Sequence, residues 1–161
     1  MSQRDLAVTA WESLFRAQVS VMRCLAATFP SREISLNEYD VLFNLSRQPA
    51  RRIRLRDLNQ HVLLTQPSVS RLIDRLVSRG YVAKESDPAD GRGAVVTLTD
   101  AGYAMFRKVA VAHMGSIAER VGGALTDEEL AQLTVLCDRL RAGSPEPADA
   151  EDAHPADAPD R

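Results

Sequence analysis

Side chains able to read bases or hold phosphates are gathered at helical spacing between Gln66 and Arg75: Gln66, Ser68, Ser70, Arg71 and Arg75. Gln matches the donor–acceptor edge of adenine, Arg matches guanine, and Ser reaches either a base or a phosphate oxygen. Thr65 is a good N-cap for the helix carrying them. Pro67 suits the first turn, where a missing N–H costs nothing. A helix that opens this way points free backbone N–H groups outward, a place where phosphates bind, so Thr65 and Pro67 join the candidates. Arg92 stands between Gly91 and Gly93 in turn-forming sequence. An arginine at the apex of a hairpin can enter a narrow minor groove. Asp90, two residues earlier, is placed to orient Arg92 and shape the turn. The plainer reading of the helix is a solvated face, with Arg71, Asp74 and Arg75 as a surface ion-pair set worth a few tenths of a kcal/mol, about 0.2–0.5 per pair. The plainer reading of Arg92 is an ordinary exposed hairpin arginine.

Other reactive residue types are sparse. Cys24 and Cys137 are the only cysteines, and His61, His113 and His154 have no ligand spacing between them. Neither a disulfide framework nor a metal motif follows, and no metal or cofactor is expected. Phosphate-loop, nucleophile-elbow, zinc-protease and dinucleotide fingerprints are absent from the sequence, which argues against an enzyme. Cys24 follows Arg23, which leaves a thiol-based redox switch as an alternative, although neighbours on a helix point about 100° apart. Cys137 lies on an apolar stripe and reads as core. Trp11, Phe15, Tyr39, Asp40 and Phe43 are the aromatic and acidic residues on the first two helices, and so the candidates for a small-ligand pocket. Ordinary core and surface positions are the alternative for each.

These residues need a scaffold, and the sequence describes one. Residues 5–29 read as a long helix, with Trp11, Leu14, Phe15, Val19, Met22, Leu25 and Phe29 on one stripe and Pro30 as its stop. Its length and terminal position suit a face shared with a second subunit, though packing on its own core is the alternative. Ser35 and Glu38 form a capping box for a helix carrying Tyr39, Leu42, Phe43 and Leu45. Arg47–Arg52 reads as a loop and 55–62 as a helix with Leu55, Leu58 and Val62 inward. In the next helix Val69, Leu72, Ile73 and Leu76 recur at i, i+3, i+4 and i+7, and Gly80 closes it. Strands 81–85 and 94–98 flank turn chemistry at 87–93. Thr99 caps a helix from 100 to about 122, with a weak stripe of Ala101, Ala104, Met105, Val109 and Ala112. Thr126 and Glu129 cap a last amphipathic helix bearing Leu130, Leu133, Leu136, Cys137 and Leu140. The fold class is mainly α with a small β-hairpin wing: a winged helix-turn-helix, 35–99, between terminal helices 5–29 and 100–140.

Charge agrees with this division. The chain of 161 residues has a net charge of only −2. Residues 47–92 nevertheless hold ten basic side chains against five acidic ones, while 142–161 hold six acids and a single arginine. A basic middle and an acidic tail are hidden in the average. One domain over 1–141 is expected, followed by a disordered, proline-rich acidic tail, 142–161. No apolar run is long enough for a transmembrane helix and no signal peptide opens the chain, so a cytoplasmic protein without a membrane partner is expected.

The run from Asp90 through Arg92, Val96, Leu98 and Thr99 to Gly102 closely resembles the D-x-R-x-x-x-V-x-L-T-x-x-G signature of the MarR (multiple antibiotic resistance regulator) family of bacterial transcription factors. Leu64-Thr-Gln-Pro-Ser-Val-Ser-Arg71 resembles that family's recognition helix, and the 36–45 helix is similar to its second helix. The resemblance covers roughly residues 10–141. It implies a homodimer joined through 5–29 and 100–140, with a recognition helix of each subunit in a major groove and a wing arginine in a minor groove. It also implies a palindromic operator on double-stranded DNA, and a repressor released by a small phenolic or other anionic aromatic ligand bound between the dimer helices and the reading head. Arg56 stands where many members carry a Ser or Thr cap. A urate-responsive branch is matched at Trp11 and Asp40 and approached at Lys84, but Leu72 occupies the place of its second arginine. A winged-helix module that binds protein is the competing reading, and a steep salt dependence on duplex DNA separates the two.

Overall fold

The computed structural model describes residues 2–62 and 66–143, with the backbone alone described at Gln66 and Arg92. It is mainly helical with one small antiparallel sheet, as the sequence implies. The helices are α1 (Gln3–Ala27), α2 (Leu36–Ser46), α3 (Leu55–His61), α4 (Gln66–Ser78), α5 (Asp100–Ile117) and α6 (Asp127–Ala142), and the strands are β1 (Arg52–Arg54), β2 (Val82–Asp87) and β3 (Asp90–Leu98). Two compact units divide the chain, Met1–Val121 and Gly122–Arg161. The expected domain over 1–141 spans both, and the expected disordered tail lies outside the described residues beyond Gly143.

In the first unit α2 begins at its capping box. Ser35 Oγ accepts from the Glu38 N–H at 3.2 Å, and Glu38 Oε2 accepts from the Ser35 N–H at 2.7 Å. Tyr39, Val41, Leu42 and Leu45 then turn inward. They meet Leu58 of α3, Val69, Leu72, Ile73 and Leu76 of α4, and Val82, Val96 and Leu98 of the hairpin in one core. Each such fully buried side chain contributes roughly 1.5–3 kcal/mol. At the end of α4 the chain reverses through Gly80 at φ +73. There the Tyr81 N–H reaches the Leu76 carbonyl at 3.0 Å and the Gly80 N–H reaches that of Val77 at 2.9 Å. This paired closure needs a left-handed residue, which glycine adopts without steric cost.

Several boundaries differ from the sequence reading. The sheet has the order β1-β3-β2, with Ile53 opposite Val96. β1 lies partly in the expected loop, because three residues are too few to show an alternation and cross-strand pairing creates the strand. α3 is capped by Arg54, with no side-chain cap bond, so the missing cap lies at Arg54 and not at Arg56. The wing strands are longer than expected, and the turn shrinks to Pro88 and Ala89. Thr99 caps α5 as expected, accepting from the Gly102 N–H at 3.0 Å and donating to the Gly80 carbonyl at 2.7 Å. A Cβ on Gly102 would overlap the Tyr81 carbonyl, so α5 can approach the wing this closely only through glycine. The inward residues of α5 are Gly102, Val109, Ala110 and His113, whereas Ala101, Ala104 and Ala112 are exposed. Alanine carries too little apolar area to fix a helix's rotation.

α1 buries Leu25 and leaves Leu6, Val8, Trp11, Phe15 and Met22 exposed. In the second unit α6 starts at the Thr126–Glu129 capping box and contains no buried residue. Cys137, expected in a core, is exposed, while Cys24 is half-buried.

Candidate nucleic-acid interface

α4 holds one face in the core and offers the other. Pro67, Arg71, Asp74 and Arg75 are exposed, and Ser68 and Ser70 are half-buried. Thr65 lies outside the described residues, as does the Gln66 side chain. The surface set of Arg71, Asp74 and Arg75 is not formed. Asp74 Oδ1 instead takes Lys84 Nζ of β2 at 2.9 Å, and Arg75 Nε lies 3.8 Å from Glu38 Oε1. Among the described residues Arg71 has no ion-pair partner, so its guanidinium stands toward solvent without a competing acid.

Glu38 has a second duty that spacing could not reveal. Its Oε2 serves the capping box, while its Oε1 lies 3.7 Å from Arg79 Nη1 as well as facing Arg75. Arg79 also donates to the Glu33 carbonyl and lies over the Tyr81 ring, 4.9 Å from its centroid. Lys108 of α5 pairs with the Glu33 carboxylate at 2.5 Å. The end of the outward-facing helix is thus tied to the start of α2, and that turn is tied to α5.

The wing is anchored at its tip by a buried carboxylate. Asp87 is 6% exposed; its Oδ1 accepts from the Ala89 N–H at 2.9 Å, and its Oδ2 pairs with Arg54 Nε at 2.8 Å. Arg92 is not at the apex of the turn. Pairing jumps from Ser86 opposite Ala94 to Asp87 opposite Asp90, so Gly91, Arg92 and Gly93 form an irregularity in β3 itself. Asp90 opens that strand and is exposed, and the Arg92 side chain lies outside the described residues.

A cavity of about 550 Å³ opens between α2 and α5. Of the pocket candidates, Tyr39, Asp40 and Phe43 line it, together with Tyr103, Phe106, Arg107 and His113 of α5. Trp11 and Phe15 do not. They stack on each other along α1 with centroids 6.1 Å apart, and Phe15 borders a hollow of about 300 Å³ beside Arg16 and Arg23. Their spacing on α1 left their distance from α2 undetermined. Burial raises the Asp40 carboxyl above its ordinary value, opposed by a hydrogen bond from Asn44. Burial likewise raises Tyr39, with the Asp40 charge adding to it, and holds the His113 imidazole below its usual range. Among the described residues no group of three or more His, Cys, Asp or Glu side chains is placed to hold a metal. No described helix is long and apolar enough to cross a membrane.

A helix pair with a sheet-anchored hairpin behind it defines a winged helix-turn-helix protein. Comparison with known proteins carries the assignment further. The MarR family model matches residues 33–93. The chain is 34% identical over 83 residues to YkoM, an uncharacterized HTH-type transcriptional regulator of Bacillus subtilis, covering 52% of this chain and 53% of that protein. It thus spans about half the length of that relative. Among solved structures, Sco3205, a MarR family transcriptional regulator from Streptomyces coelicolor in complex with DNA, superposes with a TM-score of 0.74 at 27% identity over 92% of this chain and 93% of that one. Bordetella bronchiseptica BpsR, whose DNA binding is regulated by 6-hydroxynicotinic acid, gives a TM-score of 0.70 at 26% identity over 83% of this chain and 98% of that one. Over residues 33–93 the chain thus matches the MarR family, and its fold is similar to that of MarR family transcriptional regulators.

Proposed function

We propose that this regulator is a cytoplasmic homodimeric repressor that reads a palindromic operator in double-stranded DNA and is released from it by a small anionic aromatic ligand. The observation that carries the reading is the outward face of α4. Arg71 is exposed there without an acid partner among the described residues, on a helix whose other face is locked into the core. Arg71, Ser68 and Ser70, with Thr65, Gln66 and Pro67 at the helix start, are assigned to base and phosphate contacts in the major groove. Arg75 is assigned to a phosphate, and Arg92 with Asp90 to the wing's approach to the minor groove. Two heads on a two-fold axis read half-sites about one helical turn apart, roughly 34 Å. The exposed apolar stripes of α1 and α6 are assigned to the contact between subunits.

The ligand is assigned to the α2–α5 cavity, where Tyr39, Asp40 and Phe43 meet Phe106 and Arg107. Regulation of the related BpsR by 6-hydroxynicotinic acid supports this choice of chemistry. Release requires that the ligand bind the non-reading arrangement more tightly than the reading one. No enzymatic step is assigned to any of these residues.

Selection of bound sites from random duplex DNA tests the reading. A palindrome with half-sites about one turn apart, lost when 6-hydroxynicotinate or 2-hydroxybenzoate is added, is the expected result. An absence of any enriched motif, with weak binding that merely vanishes as salt rises, sinks it in favour of the protein-binding module.

A further inference from the structure

We propose that Glu38 is a positioning residue for DNA binding: its buried carboxylate holds the Arg75 guanidinium ready for a phosphate before DNA arrives. The inference rests on the operator reading above, which assigns Arg75 to a phosphate, and adds to it the residue that orders that contact.

Glu38 sits in the first turn of α2 with its side chain only 9% exposed. Its two oxygens have different partners. Oε2 accepts from the Ser35 N–H at 2.7 Å and from the Ser35 hydroxyl at 3.0 Å. Oε1 faces two guanidiniums, 3.8 Å from Arg75 Nε and 3.7 Å from Arg79 Nη1. Capping accounts for the first oxygen alone. Glutamine closes a capping box as glutamate does, and it brings no charge to a buried place where an ionised carboxylate is costly unless paired. The charge at this position is therefore explained by the two arginines and not by the cap.

The two arginines are held unequally. Arg79 has two further anchors, the Glu33 carbonyl and the Tyr81 ring. Arg75 makes no other ion pair among the described residues, and its side chain is 58% exposed. Arg79 thus braces Glu38, and Glu38 holds Arg75. It is the Nε of Arg75 that faces the carboxylate, which leaves the outer end of the planar fork to solvent. That end lies on the same helical face as the exposed Arg71, four residues earlier. Two guanidiniums share one carboxylate, so the group keeps an excess of positive charge for an anion. A free arginine gives up rotamer freedom when it grips a phosphate, and one already held gives up less. The difference appears as affinity. The acid itself is buried, so it orders the arginine without presenting its own charge at the surface.

The test is fluorescence anisotropy on the operator duplex recovered by selection from random DNA, read at several salt concentrations. Glu38→Gln keeps an acceptor for the Ser35 N–H and should retain the wild-type helix content by circular dichroism. It should nevertheless bind the operator about three- to tenfold more weakly. Arg75→Lys keeps the charge and discards the fork. It should lose affinity by a similar factor with its salt slope unchanged. Adding Glu38→Gln to Arg75→Lys should then change affinity by less than about twofold, since the group that Glu38 ordered is gone. A Glu38 that served only the stability of α2 would instead give its full loss in both backgrounds. A Glu38→Gln protein that binds as tightly as wild type, or more tightly because an acid has been removed, overturns the proposal. So does an equal loss in the Arg75→Lys background, and so does an Arg75→Lys protein with wild-type affinity, which decides the matter alone where Glu38→Gln does not fold. A wild type that selects no operator removes the operator reading and this inference together; every other outcome bears on Glu38 alone.

Discussion

The reading head and the helices at the two ends of the chain use the same apolar residue types to opposite effect. In the head, Leu42, Leu45, Leu58, Ile73 and Leu76 are fully buried, and its ion pairs join different elements: Arg54 with Asp87, Lys84 with Asp74, and Arg75 and Arg79 with Glu38. Along α1 and α6, Trp11 is 60% exposed and Leu136 50%, and the ion pair of α6 is a local one between Arg141 and Asp138. A contiguous apolar stripe left in water marks a surface that another molecule covers. The head is closed by its own sequence, while the terminal helices leave apolar side chains in water, as the proposed contact between subunits requires.

The largest effect should come from truncating one leucine in each region. Leu42→Ala in the head should cost about 2–5 kcal/mol, since its site is fully packed. Leu136→Ala on α6 should change the unfolding free energy at high dilution by no more than about 0.5 kcal/mol. It should instead weaken self-association seen by sedimentation, and with it the dependence of melting temperature on protein concentration. Equal losses for the two at every concentration would break the contrast between the regions.

Asp87→Ala comes next. The change deletes the acceptor of the Ala89 N–H and the partner of Arg54 together, and should cost about 1–3 kcal/mol. The loss should be local, with faster amide exchange at the wing turn than in α4. Uniform exchange across the head would mean that the wing has no independent anchor.

Operator affinity sharpens the division inside the head. If Arg71 reads a base edge as proposed, Arg71→Ala should lose about 1–3 kcal/mol on the selected operator and relax its base preference. Arg92→Ala should weaken binding to all sequences alike and lower the salt slope by about one. An unchanged slope and affinity would remove Arg92 from the interface, whatever its place in β3.

What the sequence showed and what it hid follow from the range of each interaction. Local devices were legible: the Ser35–Glu38 box, the Thr99 cap, the stripe of α4 and the Gly80 reversal all lie within a few residues of their partners. Pairings across the chain were not. Nothing in spacing brings Arg54 to Asp87, gives Glu38 its arginines, or turns the three residues at Arg52 into a strand against β3. Arg92 was misplaced because the glycines around it signal a turn as well as they signal an irregular strand. For the cavity, Tyr39, Asp40 and Phe43 were found because α2 has a strong cap and an evident rotation. His113 was missed because α5 is rich in alanine and its rotation is weakly encoded, so the one polar residue on its inward face looked incidental. Trp11 and Phe15 were drawn in by residue type, although their helix leaves them outside.

The smallest effect concerns that inward face and is read in pH. Burial lowers the folded-state pKa of His113 below its ordinary 6.5. The unfolded chain then binds a proton that the folded chain refuses. His113 should therefore add to stability above about pH 6.5 and lose that contribution as pH falls toward its folded value. Asp40 has the opposite sign, because burial raises it above its ordinary 3.8. Its contribution is complete below that value and is lost as pH rises through the folded one, so at neutral pH the ionised carboxylate opposes folding. Melting curves of wild type, His113→Phe and Asp40→Asn between pH 4 and 8 separate the two. The first substitution should flatten the loss of melting temperature on acidification, and the second should raise the melting temperature at pH 7 more than at pH 4. Parallel curves for all three proteins would mean that neither group is shielded from water, and that the α2–α5 cavity is as open to solvent as the faces of the terminal helices.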